Sequence, residues 1–197
     1  IYYKEKFYQK KIRISKPSSF AKFIVKKLKK NKTLLDIGCG NGRDTFYFNK
    51  KGLNVVGLEK SKIAVKNNKK LLAEKKIKNI DFFNINISSK KFQNLKKFDY
   101  VYLRFVIHAI SQQIENKLLK NLSKITKKNS IVFFEFRTTK DQLFKKGKIL
   151  SKYERHTNHY RRFIEFDDFI TTLNKLNNLK ILYKTEKKGL AKYKNDK

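Results

Sequence analysis

A doubly wound α/β domain, with a mainly parallel sheet and helices on both faces, is the fold class this sequence predicts. Three observations lead there. Short β-branched or aromatic runs alternate with segments of helical periodicity, a glycine-rich turn follows the first run, and 197 residues suffice for one hydrophobic core. The runs Thr33 to Ile37, Asn54 to Glu59, Ile80 to Ile85, Phe98 to Leu103, Ser130 to Phe136 and Leu179 to Thr185 read as strands. Ser18 is placed to cap a helix in which Phe20, Ile24 and Leu28 share a face. Ile114, Leu118, Leu122 and Ile125 mark a second helix, and Phe166, Ile170 and Leu173 a third. Strand followed by helix, repeated, makes a parallel sheet whose ligands sit at the carboxyl ends of the strands, where the order reverses. Functional residues are therefore expected just after strands one, two, four and five.

Composition narrows the partners. The formal net charge is +34, which suggests a polyanion, yet Lys supplies 43 of the 50 basic residues. Lys, Asn, Ile, Phe and Tyr are inflated while Arg, Ala, Gly and Pro are scarce, the pattern an A/T-rich coding sequence produces without selection for a partner. Arg, the usual planar reader of phosphate, is the basic residue in short supply. Cys39 is the lone cysteine, so no intramolecular disulfide framework or multi-cysteine metal site is possible, and a reducing cytoplasmic setting is expected. No run of about 18 uncharged apolar residues marks a membrane span, and Ile1 to Ile14 lack a signal-peptide core.

The segment Leu34-Leu35-Asp36-Ile37-Gly38-Cys39-Gly40-Asn41-Gly42-Arg43-Asp44 carries the chemistry. A strand ends in an acid and enters a turn with glycine at alternate positions, which lets backbone approach a ligand closely. A dinucleotide fingerprint would need its third glycine where Arg43 stands. The D-x-G-x-G-x-G spacing instead resembles the first motif of class I S-adenosylmethionine-dependent methyltransferases, whose ligand carries a cationic amine and sulfonium. The resemblance implies that Asp36, Gly38, Gly40 and Gly42 hold the cofactor S-adenosylmethionine. Glu59, 23 residues beyond Asp36 at the end of Val55-Val56-Gly57-Leu58-Glu59, is suitably placed for the ribose hydroxyls. Asp81-Phe82-Phe83-Asn84-Ile85-Asn86 is similar to the segment flanking the adenine, with Asn86 where the family commonly has an acid. The fourth motif is matched by Phe98 to Leu103 running into Arg104, a further cofactor contact by resemblance. The chain then divides into a helical extension (1–32), a cofactor-binding core (33–136) and an acceptor-side segment ending in a strand (137–197), all one domain.

The acceptor is approached by elimination. Enzymes that methylate adenine amines share an Asn/Asp-Pro-Pro-aromatic motif after strand four; here Tyr102-Leu103-Arg104-Phe105 stands there, and Pro17 is the one proline. Cytosine C5 chemistry needs a nucleophilic cysteine, and Cys39 belongs to the glycine loop. Methyl transfer is an in-line displacement dominated by alignment, with a base needed only to deprotonate the acceptor. His108 and His159 are the candidate catalytic residues. Arg137, Tyr160, Arg161 and Arg162 are candidate acceptor-binding residues, because clustered arginine against a lysine background suggests a small acceptor bearing carboxylate or phosphate. RNA is the alternative acceptor, and a non-catalytic scaffold the third reading.

The absence of methionine, the start at Ile1 and the polar stretch Leu190 to Lys197 predict a segment of a longer chain. The expected sheet has six strands, with a gap or exposed edge beside strand five and no seventh strand.

Overall fold

The computed structural model describes residues 16–157, 159–187 and 189–190. Five parallel strands form the main sheet in the order β3-β2-β1-β4-β5: β1 (Thr33–Ile37), β2 (Asn54–Glu59), β3 (Ile80–Asn84), β4 (Phe98–Arg104) and β5 (Thr126–Glu135). The order reverses between β1 and β4, and the glycine loop leaves the sheet there.

Alternation along the strands sorts side chains to two faces. Leu35 and Ile37 of β1 and Val101 and Leu103 of β4 pack with Leu118, Leu122 and Ile125 of helix α5 (Gln112–Ile125) and with Phe169 and Leu173 of α6 (Phe166–Asn174). Leu34, Tyr100 and Tyr102 point the other way, onto Ala21 and Ile24 of α1 (Ser19–Val25) and Phe48 of α2 (Arg43–Lys50). Phe82 of β3 joins Phe46 and Val65, the latter from α3 (Lys62–Glu74). Each such fully buried Leu or Phe contributes roughly 1.5–3 kcal/mol. A short α4 (Lys90–Gln93) completes the helices.

Caps follow the sequence. Ser18 Oγ accepts the Ala21 N–H at 3.0 Å, and Ser61 and Ser111 cap α3 and α5 in the same way. α1 ends at Val25, so Leu28 reaches its cluster from beyond the helix. α5 runs directly into β5, which starts four residues before the predicted Ser130 and absorbs the surplus through a register shift opposite Phe98 and Tyr100.

The sixth strand is a correction. Leu179 to Thr185 forms no ladder, and the main sheet has five strands. Leu179 and Ile181 pack on the core, Tyr183 lies 5.8 Å from the Phe23 ring, and Glu186 pairs with Lys140 at 2.5 Å. Alternating apolar residues specify a buried face, and side-chain anchors satisfy that face here without backbone pairing. β5 is accordingly an edge strand, with Ile131 to Phe136 only half-buried. Leu190 lies in a turn, and Ala191 to Lys197 fall outside the described residues.

A second sheet, not expected from the sequence, follows β5. It is antiparallel, in the order β6 (Lys148–Ile149), β7 (Glu154–His156) and β8 (Tyr160–Arg162). Among the described residues no helix is long and apolar enough to cross a membrane.

Candidate active site

The loop after β1 is held by backbone. Gly38 and Cys39 N–H donate to the Leu58 carbonyl at 2.8 and 3.0 Å, and Gly38, Gly40 and Gly42 all take positive φ, between 57° and 74°. Gly42 is irreplaceable for a second reason: a Cβ there would stand 2.8 Å from Phe46 and 3.0 Å from Phe82. The loop borders a cavity of about 240 Å³ lined by Asp36, Gly38, Gly40, Arg43, Asp44, Tyr102 and Arg104, among others.

Three buried carboxylates surround the loop, each with a different set of donors. Asp36 accepts one hydrogen bond, from Thr45 Oγ1 at 2.6 Å, and burial pushes its carboxyl up to about 7 despite that bond. Neighbouring Asp44 and Glu59 push the same way, while Arg43 opposes them. Glu59, 3% exposed, takes one backbone amide on each oxygen, Gly40 N–H and Ser61 N–H, both at 3.0 Å. Asp44 is ringed by Ser18, Arg43 and Tyr102. Glu59 and Asn86 lie outside the lining of the cavity. Asn86 is exposed, and its side-chain oxygen accepts the Ser88 N–H at 3.0 Å.

The loop also has supports that the motif does not mark. Asn68 of α3 donates to the Gly40 carbonyl at 2.9 Å, and Asn84 donates to the carbonyls of Glu59 and Lys60 at 3.0 and 2.7 Å. Asn68 had a visible signal: it is a polar residue four positions after Ala64 on the buried face of α3.

Arg104, Phe105, His108 and Arg137 come together at the ends of β4 and β5. The Arg104 and Arg137 guanidinium carbons stand 4.2 and 5.2 Å from the Phe105 ring centre, and the His108 ring is 5.0 Å from it. Phe105 holds φ 58°, an uncommon state for a bulky residue. His108, buried, accepts the Arg137 N–H on Nδ1 at 3.2 Å. Arg104 Nε forms an ion pair with Glu135 Oε2 at 2.6 Å. Burial raises the Glu135 carboxyl even with that cation beside it.

The second sheet separates the remaining candidates. Tyr160 donates to Glu154 at 2.5 Å, Arg161 to Thr157, and half-buried His159 stands in the turn between β7 and β8. Arg162 is buried: it pairs with Glu115, bonds Gln112 Oε1 at 2.7 Å, and reaches the carbonyls of Ile107 and Ile110 at 3.3 and 3.2 Å. Its guanidinium is engaged by four groups of the chain itself. Arg155 of β7 donates to the carbonyls of Phe144, Ser151, Lys152 and Glu154.

A pyrophosphate would meet buried carboxylates at the carboxyl ends of β1 and β2. A cation would relieve Asp36 and use its spare acceptor positions, so the residues present fit a sulfonium-bearing amino acid. With the observed strand order, that chemistry defines a class I S-adenosylmethionine-dependent methyltransferase domain. The chain belongs to the methyltransferase-domain family, whose model matches residues 28–188. It is 30% identical over 107 residues to the uncharacterized protein RP028 of Rickettsia prowazekii (strain Madrid E), a match covering 53% of this chain and 42% of that protein. Its fold is similar to PKMT2 from Rickettsia typhi in complex with AdoHcy, at TM-score 0.52 and 27% identity over 62% of this chain and 25% of that one. It is also similar to PH0226 from Pyrococcus horikoshii OT3, at TM-score 0.66 and 19% identity over 80% and 78% of the two chains. The chain thus spans less than half the length of either rickettsial protein.

Proposed function

We propose that this chain transfers a methyl group from S-adenosylmethionine to a small anionic molecule seated against the ends of β4 and β5. One observation carries the reading: Arg104, which lines the donor cavity, belongs to the same cluster as Phe105, His108 and Arg137. When bound, the donor supplies an electrophilic methyl on a sulfonium. The protein's part is alignment and, for a hydroxyl acceptor, removal of a proton. Asp36 would meet the cationic end and Glu59 the ribose, while Gly38, Gly40 and Gly42 let backbone approach the ligand. Asn86 Oδ1 accepts the Ser88 N–H and keeps a second acceptor position that would serve the adenine.

With Nδ1 accepting the Arg137 amide, neutral His108 carries its proton on Nε2. To act as base it must open that bond, so His108 and His159 remain separate candidates. Arg104 and Arg137 are the arginines that favour an anionic acceptor. Each keeps one carboxylate partner, Glu135 and Asp141, and an incoming anion would compete for it.

The test is transfer of labelled methyl from S-adenosylmethionine into a cell extract fractionated by size and charge. Label is expected in small molecules retained on an anion exchanger, and His108→Ala should cut turnover about 100-fold with donor affinity kept. Label confined to the RNA fraction would replace this acceptor class with RNA.

A further inference from the structure

Asp36 and Asp44 both line the cavity, yet only one has room for a ligand. Asp36 accepts a single bond, from Thr45. Asp44 accepts four: on Oδ1 from Ser18 N–H at 2.8 Å and Arg43 Nε at 3.2 Å, and on Oδ2 from Ser18 Oγ at 2.7 Å and Tyr102 OH at 2.9 Å. A carboxylate offers about four acceptor positions, so the protein itself saturates Asp44. No ligand cation takes hydrogen-bonding room on Asp44 without displacing a donor.

Those donors come from three separated stretches: the cap of α1, the first turn of α2 and the middle of β4. Arg43 and Tyr102 line the cavity, whereas Ser18 is not among its lining residues. Ser18 nevertheless gives Asp44 both its amide and its hydroxyl, and the same hydroxyl caps α1 by accepting the Ala21 N–H. The start of α1 is thereby fastened to the wall of the donor site through one carboxylate. Burial pushes the Asp44 carboxyl up, but the Ser18 amide, Arg43 and the two hydroxyls hold it below the usual range, so it remains an anion able to accept all four bonds.

We propose that Asp44 is a positioning residue that couples docking of α1 to capture of the methyl donor, with Ser18 as the latch. The inference rests on the cavity being the donor site. When α1 lifts away, Asp44 loses two of its four donors. It then turns a freed anionic surface toward the cavity, where it competes with Asp36 for the incoming cation. Tyr102 and Arg43 lose a fixed partner in the same event. Such coupling is reciprocal: donor binding must hold α1 down by the factor with which docked α1 favours the donor.

Titration calorimetry of the full chain with S-adenosylmethionine, for wild type, Ser18→Ala, Ser18→Thr and Tyr102→Phe, tests this together with hydrogen exchange of the α1 amides. Ser18→Ala is expected to weaken binding about 10-fold, within the range of coupled sites, and Ser18→Thr to restore it. Saturating donor should slow α1 exchange about 10-fold in wild type and not in Ser18→Ala, a linkage that a simple helix cap does not produce. Tyr102→Phe leaves the Ala21 cap bond intact and removes one Asp44 donor together with a hydroxyl 3.2 Å from Ser18 Oγ, with an expected loss of about threefold. If wild type binds while Ser18→Ala and Tyr102→Phe stay within about twofold and α1 exchange ignores the donor, the coupling is overturned and the donor site stands. Failure of wild type to bind removes both.

Discussion

The glycine-loop side of this molecule and the side proposed for the acceptor use charge in opposite ways. Around the glycine loop, buried Asp36 keeps spare acceptor positions and Glu59 is fixed by backbone amides, and burial raises the Asp36 carboxyl to about 7. Across the ends of β4 and β5 and through the second sheet, each described arginine already has a partner within the chain, from Glu135 and Asp141 to the carbonyls around Arg155. A buried charge that lacks its counter-ion points to a ligand; a buried charge held by several partners at once, as Arg162 is, points to the fold.

The sharpest way to break this contrast is Arg162→Ala. Removing the cation leaves Glu115, 2% exposed, without its partner, and the expected loss of stability is ~3–5 kcal/mol by denaturant unfolding. If the variant unfolds like wild type and only the acceptor's KM rises, Arg162 is a substrate ligand after all and the acceptor side resembles the donor side.

Asp36→Asn should move stability and binding in opposite directions. The carboxyl titrates near 7 when folded against 3.8 for the ordinary group. A folded pKa raised in this way contributes stability that is complete below pH 3.8 and lost as pH rises through 7. At pH 8 the folded state therefore carries a cost on the order of 4 kcal/mol that asparagine avoids. The variant is expected to melt higher at pH 8 and to bind S-adenosylmethionine about 100-fold more weakly. In wild type, donor affinity should fall up to about tenfold per pH unit below 7, where the ligand's own ammonium stays protonated. Affinity that is flat from pH 5 to 7 would detach Asp36 from the cation.

How much of each side was legible follows from the same physics. Thr33 to Ile37, Asn54 to Glu59 and Gly38-x-Gly40-x-Gly42 lie within short stretches whose local pattern fixes their backbone, and the structure has those strands at the same bounds. The roles of Ser18 beside Asp44 and of Asn84 beneath Glu59 depend on contacts 25 or more residues apart, which no local pattern encodes. Arg162 reads as a ligand from clustering alone, because sequence shows a cation but not that Glu115, Gln112 and two carbonyls meet it. Leu179 to Thr185 has a strand's alternation, and nothing local says whether β5 offers it a ladder.

Glu59→Ala sharpens the donor side at a smaller scale. Its two backbone donors hold the carboxylate in place, so truncation loosens Gly40 and Ser61 together and, on the proposed reading, removes the ribose acceptor. Calorimetry should show a loss of about 1.5–3 kcal/mol, the range of hydrogen bonds to a charged group. A loss below about 0.5 kcal/mol would place the ribose elsewhere.

The smallest effect is expected one residue from the largest. Arg161 and Arg162 are neighbours on β8, and successive side chains of a strand point to opposite faces. Arg162 turns inward to Glu115; Arg161 pairs across the hairpin with Arg155 in register, stays half-buried and donates to the neutral hydroxyl of Thr157. Half-buried where Arg162 is buried, it sits in a site water reaches, so Arg161→Ala should change stability by no more than about 0.5 kcal/mol. That small structural cost makes it the better probe of the acceptor. If the substrate is anionic and approaches from the hairpin, Arg161→Ala raises its KM while unfolding and donor affinity stay put. An unchanged KM confines anion recognition to Arg104 and Arg137, on the wall the two sites share.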